Sequence, residues 1–384
     1  MDYQNLFIKI GEASRAFNEY DKVDDLLNYL ADSIEEDGKV LLEANQMDLD
    51  NMAIDTPKYN RLKLTDIDIV DIANNIRAVS SLASPLGVVL GQNTLENGLE
   101  ISKISTPLGI VGIVCDARPN ISFDMFSLCL KAGNACVLQS HCDAMHTCKT
   151  AVEIIQKALR RYDIDTAMIT LLPPHTEAIT ELIKNVDLVL PLMETGKGIV
   201  HVYYDETGNR DHAMAVINNS KTRRNALDCL IVHSSRLLEL SIAFNPLSDA
   251  RIVIFADERS MKALRGRYPA DLLNPADENS FGKELFQFKM AVKTVDNIEE
   301  ALEHISLHGS RHCEAIISQN EKNIELFLNR VDAAKIYVNA STAIADFAEF
   351  GTGTEIEKLH PRKPIGLKEL TSHRWLIKGK GHIV

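Results

Sequence analysis

The chain has 384 residues, of which 45% are hydrophobic and 25% charged, and its formal net charge is −13 at pH 7. This length predicts more than one domain, and the composition is that of a soluble globular protein. The acidic balance argues against a nucleic-acid or anionic-membrane partner, because both require a basic surface. The N-terminal segment lacks a long apolar run and no stretch offers the roughly 20 apolar residues of a membrane span, so we expect a cytoplasmic protein.

The cysteines give neither a disulfide nor a metal signature. There are seven, at Cys115, Cys129, Cys136, Cys142, Cys148, Cys229 and Cys313. An odd number in a protein expected in the cytoplasm argues against a disulfide framework. No C-x-x-C pair occurs, so the sequence predicts no zinc or other metal site.

The first hundred residues are predicted to be largely helical. In DKVDDLLNYLADSIEE the apolar residues recur at helical spacing, and TDIDIVDIANNIRAVSSLASPLG repeats the pattern from a predicted cap at Thr65. The period changes in GLEISKISTPLGIVGIVCD, which alternates and is rich in Ile and Val. We interpret that segment as strands broken at Pro107–Gly109.

Short apolar strands then alternate with helical segments. ACVLQ, MITLLP and VDLVLPL form a first run, and LDCLIVHSS, ARIVIFAD, KMAVKTV, EAIISQ and KIYVNAS form a second run that begins near Leu227. Strands joined by helical crossovers make parallel sheets with helices on both faces. The sequence therefore predicts two α/β domains, a hairpin and a C-terminal tail.

Long motifs in the chain resemble one enzyme family. The segment PLGIVGIVCDARPNISFDMFSLCLKAGNACVL, from Pro107 to Leu138, resembles the signature of γ-glutamyl phosphate reductase, also called glutamate-5-semialdehyde dehydrogenase, in the aldehyde dehydrogenase superfamily. KIYVNAST, FGTGTE and EKLHPRKPIGLKELTSHRW resemble the C-terminal signatures of that family. The resemblance extends from about the first helix to the tail.

The resemblance implies an aldehyde dehydrogenase-like α/β fold in three parts. These are a Rossmann-type cofactor domain over 1–94 and 108–221, an α/β catalytic domain over 222–355, and a small oligomerisation hairpin and tail over 95–107 and 356–384. The hairpin implies a homodimer or a higher homo-oligomer.

The resemblance also implies a reaction. NADPH would reduce L-glutamyl 5-phosphate to L-glutamate 5-semialdehyde, the second step of proline biosynthesis, through a thioester on a cysteine. Asn120 in ARPN falls where the superfamily has its oxyanion-hole asparagine; the alternative is an asparagine that caps the next helix. Glu284 in GKELFQF falls where the superfamily has the glutamate that binds the nicotinamide ribose; the alternative is a solvated glutamate before a strand.

The nucleophile segment departs from the family pattern N-A-K-x-x-x-P-S-x-C-N-x-x-E-x-L-L-V. Asn219–Lys221 matches its start and Asn225–Val232 its end, but P-S-x-C has no counterpart. On this alignment Asp228 takes the glutamate position, and Cys229 is a core residue of the next strand whose thiol has a raised pKa. A rival alignment keeps Cys229 as the nucleophile, with an insertion before it and a deletion after it. Cys115, next to DARPN, is a further candidate nucleophile.

Two cofactor elements of the family also have no counterpart. After GNACVL the family has R-G-G-K-E, whose lysine helps to hold the ribose and phosphate, and this chain has Gln139 to Asp143 with Cys142 at the lysine position. After VDLVLP the family has a glycine-rich R-G-G-x-x-L loop beside the phosphates, where this chain has LPLMETGKGIVHVYY. ETGKG lacks the P-loop spacing, and Lys197 is either an anion contact or part of a solvated turn. We therefore predict weak NADPH binding.

Two functions follow from these observations. The first is an NADPH-dependent reductase with a rearranged site, which family membership favours. The second is a non-catalytic homologue, a pseudoenzyme that keeps its fold as a binding or scaffold subunit for glutamate 5-kinase or for a true reductase. The three missing elements favour the second, because each removes a separate chemical requirement. We expect impaired or absent reductase chemistry.

Overall fold

The computed structural model describes residues 2–53, 59, 62–115, 120–192, 198–222, 226–283, 285, 288–344 and 366–383. These residues form two compact units. Unit 1 contains the described residues up to 192 together with 366–383, and unit 2 contains those from 198 to 344. Within the described part of the chain, no helix is both long enough and apolar enough to cross a membrane.

The helices begin where the sequence supplies caps and apolar periodicity. Thr65 forms the predicted cap: its hydroxyl accepts from the Asp68 N–H at 3.4 Å, and the Asp68 carboxylate accepts from the Thr65 N–H at 2.7 Å. The helices of unit 1 are α1 (Tyr3–Ala16), α2 (Val23–Glu36), α3 (Gly38–Leu49), α4 (Asp66–Ser81), α5 (Ile121–Lys131), α6 (Met145–Arg161) and α7 (Thr176–Asn185). Those of unit 2 are α8 (Arg210–Thr222), α9 (Leu240–Ala243), α10 (Asn245–Asp249), α11 (Glu258–Leu264), α12 (Ile298–His308) and α13 (Glu321–Arg330).

The strands form three sheets. In chain order they are β1 (Val89–Thr94), β2 (Glu100–Pro107), β3 (Ile110–Cys115), β4 (Ala135–Ser140), β5 (Ile169–Leu172), β6 (Leu188–Leu192), β7 (Val200–Tyr204), β8 (Cys229–His233), β9 (Val253–Ala256), β10 (Leu273–Pro275), β11 (Lys289–Val295), β12 (Cys313–Ile317), β13 (Lys335–Val338) and β14 (Thr371–Lys378). Their alternation with helices confirms the predicted α/β class.

Unit 1 contains a four-stranded parallel sheet in the order β5-β4-β3-β6. This is the arrangement of the first half of a dinucleotide-binding fold, in which the first strand lies between the second and the fourth. The sheet lies in the interior of unit 1: all six residues of β3 and all six of β4 are buried. Only residues 193–199 separate β6 from β7, the first strand of unit 2.

A second sheet of unit 1 is antiparallel, in the order β1-β2-β14. Thr371 lies opposite Pro107 and Lys378 opposite Glu100. The predicted pairing of the tail with the hairpin is thus confirmed, although the first hairpin strand begins at Val89, upstream of the predicted start at residue 95. The assignment of the chain to three functional domains stays a prediction.

Unit 2 is built on a seven-stranded parallel sheet in the order β10-β9-β11-β8-β7-β12-β13. Successive side chains of a strand point to opposite faces, and the central strand β8 shows the consequence. Leu230 and Val232 enter one hydrophobic core, whereas Cys229 and Ile231 enter the other. Cys229 therefore lies on the sheet face that α12 covers with Ile298, Ala301, Leu302 and Ile305.

Asp257 links a helix of unit 2 to its sheet. It is the N-cap of α11, where one carboxylate oxygen accepts from the Ser260 N–H at 2.9 Å. The carboxylate also accepts from the backbone N–H of Thr294 at 2.6 Å and from its hydroxyl at 2.8 Å. Burial alone would raise the pKa of Asp257, but these hydrogen bonds outweigh it and leave the pKa below the ordinary aspartate value.

Candidate functional site

Asn120, the predicted oxyanion donor, lies in unit 1 at the start of α5. It is half-buried, and its side chain makes no hydrogen bond that caps the helix. The amide Nδ2 instead donates to the Asp124 carboxylate at 3.0 Å. One of the two N–H groups of this amide is thereby oriented by a buried acid. The Asn120 side chain therefore does not cap the helix, which was the alternative interpretation. Its role as an oxyanion donor stays a prediction.

Cys115, the alternative nucleophile, is the last residue of β3. Its side chain is 4% exposed. The thiol lies 3.8 Å from the Gln139 carbonyl oxygen, to which it donates. This thiol is part of the core between neighbouring strands.

Cys229 is the first residue of β8, between Ala291 of β11 and His201 of β7. The predicted position within a strand is observed, and the residue is 3% exposed. Burial raises the pKa of the Cys229 thiol well above its ordinary value, and the nearby carboxylates of Asp228 and Glu314 raise it further. A thiol in this environment carries little thiolate at neutral pH.

The closest polar neighbour of Cys229 does not activate it. The sulfur lies 3.7 Å from Nε2 of His304 in α12. Burial and the adjacent His201 and His308 rings lower the pKa of His304 to about 2. An imidazole that is neutral at physiological pH forms no thiolate–imidazolium pair, so His304 does not activate Cys229 in the way that the histidine of a cysteine-dependent enzyme activates its thiol.

Asp228, at the family's glutamate position, has a structural role in this chain. It is 2% exposed, and its two carboxylate oxygens accept from the backbone N–H groups of Leu285 at 2.8 Å and Val200 at 3.1 Å. Lys221, which matches the lysine of the family motif, is also buried and donates to the carbonyls of Leu227, at 3.0 Å, and Lys289. Burial lowers the pKa of Lys221 to about 8. These two groups fix the chain on either side of the position where we predict the loss of P-S-x-C.

Sequence reasoning did not single out three buried residues near Cys229. His201 and Glu314 pair through Nδ1 and Oε2 at 2.9 Å, and both are at most 1% exposed. His304 completes the group. No local spacing could have identified them, because His201 and His304 are separated from Cys229 by 28 and 75 residues and meet only through the sheet and α12.

The carboxyl end of β4 leads into a histidine, a cysteine and an aspartate. His141 Nδ1 lies 3.0 Å from an Asp143 carboxylate oxygen, and Cys142 is exposed. A cavity of about 360 Å³ opens beside them. It is lined by Asp48, Asn51, Met52, Ala53, Cys142, Asp143, Met145 and His146. Among the residues that the structure describes, this lining has two carboxylates and no lysine or arginine.

Other predicted positions lie outside the described residues. These are Glu284, Lys197 and the C-terminal signature residues from 345 to 365.

None of the protein-family models compared with the chain matches it. It is 44% identical to the γ-glutamyl phosphate reductase of Bacteroides fragilis, and the match covers 99% of each chain. The crystal structure of γ-glutamyl phosphate reductase from Thermotoga maritima matches 100% of both chains with a TM-score of 0.83 and 28% identity. An acetylating aldehyde dehydrogenase from Geobacillus thermoglucosidasius shares the fold, with a TM-score of 0.66 at 18% identity over 100% of this chain and 97% of that one.

The match to the B. fragilis protein has gaps in this chain. It extends over 411 aligned positions, whereas 99% of a 384-residue chain is about 380 residues. About 30 positions of the relative therefore have no counterpart here. The loss of P-S-x-C and of the glycine-rich loop after β6 stays a prediction.

Proposed function

Because the chain belongs to the γ-glutamyl phosphate reductase family, we propose that its reaction class is the NADPH-dependent reduction of L-glutamyl 5-phosphate to L-glutamate 5-semialdehyde in proline biosynthesis, with impaired catalysis. Identity of 44% over 99% of each chain supports the reaction class. The observation that carries the impairment is the environment of Cys229, a 3% exposed strand residue whose thiol pKa is raised by burial.

The chemistry needs a thiolate that reaches the acyl phosphate. The sulfur attacks the acyl carbon and phosphate leaves; reduction of the resulting thioester would then break the carbon–sulfur bond, expel the thiolate and release the aldehyde. Cys229 and Cys115 are both buried, and Cys142 is the exposed thiol among the seven. Asn120 would supply an oxyanion contact, but an oxyanion donor has no function unless a nucleophile reaches the same carbonyl.

The cofactor of this reaction class is a nicotinamide dinucleotide, which would supply the hydride when bound. The residues of this chain do not fit NADPH well, because the end of β4 offers Asp143 and the thiol of Cys142 in place of a lysine. The acidic lining of the adjacent cavity supports the same conclusion. We therefore propose weak NADPH binding and assign no step to the cofactor.

A non-catalytic role is the second candidate, and the buried thiols favour it. In that role the chain would bind glutamate 5-kinase or an active reductase subunit.

The exposed antiparallel sheet is the surface that we propose for self-association as a homodimer. Trp375 is 58% exposed, Ile377 60% and Leu90 56%, and β14 has β2 as its neighbour on one side in the described sheet. An exposed apolar edge strand is a template for pairing with a second copy.

The test is the reverse reaction, because the aldehyde is easier to handle than the labile acyl phosphate. Phosphate- and NADP-dependent oxidation of glutamate 5-semialdehyde is followed through NADPH absorbance, with the T. maritima reductase assayed in parallel. Loss of a catalytic nucleophile lowers kcat by about 10³-fold or more, so we expect at least that deficit. Cys229→Ala should leave any residual rate unchanged, as should the matched control Cys313→Ala, another buried thiol of unit 2.

Three outcomes separate the alternatives. Turnover that is lost in Cys229→Ala, but not in Cys313→Ala, would show that Cys229 is the nucleophile and would refute the impairment. Turnover that survives Cys229→Ala but is lost in Cys115→Ala would assign the nucleophile to the end of β3. No turnover, together with co-sedimentation with glutamate 5-kinase, would establish the scaffold role.

A further inference from the structure

Three side chains with metal-binding atoms converge inside unit 2. His201 on β7, Cys229 on β8 and His304 on α12 are 0%, 3% and 8% exposed, respectively. Their ligand atoms all lie within 4.8 Å of one another. Such a group of one sulfur and two imidazole nitrogens is rare in a hydrophobic core unless it is paired or binds an ion.

The orientation of His201 points to a missing partner. Its Nδ1 lies 2.9 Å from Oε2 of Glu314, and its backbone N–H donates to the same oxygen at 3.0 Å. When Nδ1 carries the proton of a neutral ring and donates to this oxygen, the lone pair lies on Nε2. That buried Nε2 has no hydrogen-bond partner among the residues that the structure describes. Buried polar atoms without a partner are uncommon and call for an explanation.

In metal sites, a histidine that binds the metal through one ring nitrogen commonly donates a hydrogen bond from the other nitrogen to a carboxylate. It fixes the tautomer and the ring orientation and increases the basicity of the ligand. Glu314 is 1% exposed, and burial raises the pKa of its carboxyl group, whereas the hydrogen bonds from His201 lower it. The pairing of Glu314 with His201 thus prepares Nε2 as a ligand.

The distances suit zinc. Zn–S bonds are about 2.3 Å long and Zn–N bonds about 2.0 Å. If the S–Zn–N angle lies between the tetrahedral and the trigonal value, the sulfur and the nitrogen are about 3.5 to 3.7 Å apart. The observed separation of Cys229 Sγ and His304 Nε2 is 3.7 Å. This one pair therefore matches zinc geometry, and all three ligand atoms lie within 4.8 Å of one another.

The charges also balance. A divalent cation, one thiolate, two neutral imidazoles and the Glu314 carboxylate together have no net formal charge. A neutral assembly avoids most of the cost of burying single charges, which is otherwise several kcal/mol for each ion.

We propose that His201, Cys229 and His304 form a buried site for a zinc-like divalent cation, oriented by Glu314. On binding, the S–H bond of Cys229 breaks, its proton leaves to solvent, and a metal–sulfur bond forms; water completes four ligands. The sequence predicted no metal site because its ligands share no short motif. This inference does not depend on the proposed function, because the site would bind metal whether or not the chain turns over substrate.

Cobalt substitution tests the site in the full-length chain. The protein is produced in medium supplemented with Co²⁺ or Zn²⁺, because buried ligands bind metal most readily during folding. We expect about one metal per chain by elemental analysis and a thiolate-to-cobalt charge-transfer band. Cys229→Ser should abolish the band and lower metal content at least tenfold, whereas Cys313→Ser, a buried thiol of the same unit, should change neither.

A second variant addresses the competing exposed group of His141, Cys142 and Asp143, whose ligand atoms are also close together. Cys142→Ser is a surface change that should fold normally and keep the band. Loss of the band in Cys142→Ser, persistence in Cys229→Ser, or no bound metal would each overturn the proposal. If Cys229→Ser does not fold, X-ray absorption on the Cys142→Ser protein decides: one sulfur and two imidazole ligands support the site, and a sulfur-free shell refutes it.

Discussion

The seven thiols differ in exposure, and this difference predicts how slowly Cys229 reacts with a thiol reagent. The native full-length chain is treated at neutral pH with a reagent whose absorbance changes when it reacts with a thiol. A metal chelator is present throughout. Cys142 is exposed and the other six thiols are buried. We expect one equivalent to react in the fast phase, and all seven to react in denaturant.

The size of the difference follows from the position of Cys229 in a central strand. A reagent reaches a 3% exposed sulfur only when β8 separates from β7 and β11. If that opening costs about 5 kcal/mol, the lower end of typical domain stability, the open state has a population of about 2 × 10⁻⁴. Cys229 should therefore react about 10³- to 10⁴-fold more slowly than Cys142, and its raised pKa slows it further.

Peptide mass spectrometry over the time course assigns each phase to a residue. The Cys142→Ser variant should lose the fast phase entirely and keep the slow ones. Labelling of Cys229 within about tenfold of the rate of Cys142 would mean that the sulfur is accessible. The reasoning that leads from a buried strand thiol to impaired catalysis would then be refuted.

The remaining predictions concern stability, the cofactor and assembly. Asp257→Ala should lower the free energy of unfolding by about 2–4 kcal/mol in urea titrations followed by circular dichroism. The pKa of Asp257 is lowered in the folded state, so the loss of unfolding free energy in the variant should be full at pH values above the ordinary aspartate pKa. It should vanish as the pH falls through the lowered pKa. A loss of stability that does not change with pH would contradict this prediction. Gly112→Ala should lower the free energy of unfolding by about 1–3 kcal/mol, because the added Cβ would lie 2.5 Å from Leu182 Cδ2. The control Gly91→Ala places its Cβ in open space and should leave the thermal midpoint unchanged. Titration calorimetry should give NADPH binding weaker than the low micromolar range, on the order of −8 kcal/mol, and binding within that range would show that other residues replace the missing contacts. Ile377→Lys should convert a dimer to a monomer in sedimentation, and an unchanged dimer would exclude the exposed sheet as the interface.

The features that sequence reasoning predicted depend on local patterns. The apolar periodicity of α2 and the cap at Thr65 are written within a few neighbouring residues, as are the Val- and Ile-rich strands β3 and β4. The position of Cys229 in a strand followed from its apolar neighbours in the same way.

The features that it did not predict depend on tertiary packing. All six residues of β1 are exposed, so the strand has no alternation between buried and exposed positions that would have revealed its start at Val89. The metal-binding atoms of His201 and His304 reach Cys229 because β7 and β8 are neighbours and α12 packs on the same face. A strand order is set by the whole sheet, and no segment of the sequence specifies it alone.

The pairing of β14 with β2 has a consequence for synthesis on the ribosome. Its partners are separated by 264 residues at Thr371–Pro107 and by 278 at Lys378–Glu100. At about 5 to 20 residues per second, β2 waits roughly 10 to 60 seconds for its second neighbour to be translated. During that interval its backbone donors and acceptors face solvent as an open edge. Nascent chains that stall before residue 371, and fragments that lack the tail, should therefore aggregate and require chaperones that the finished chain does not.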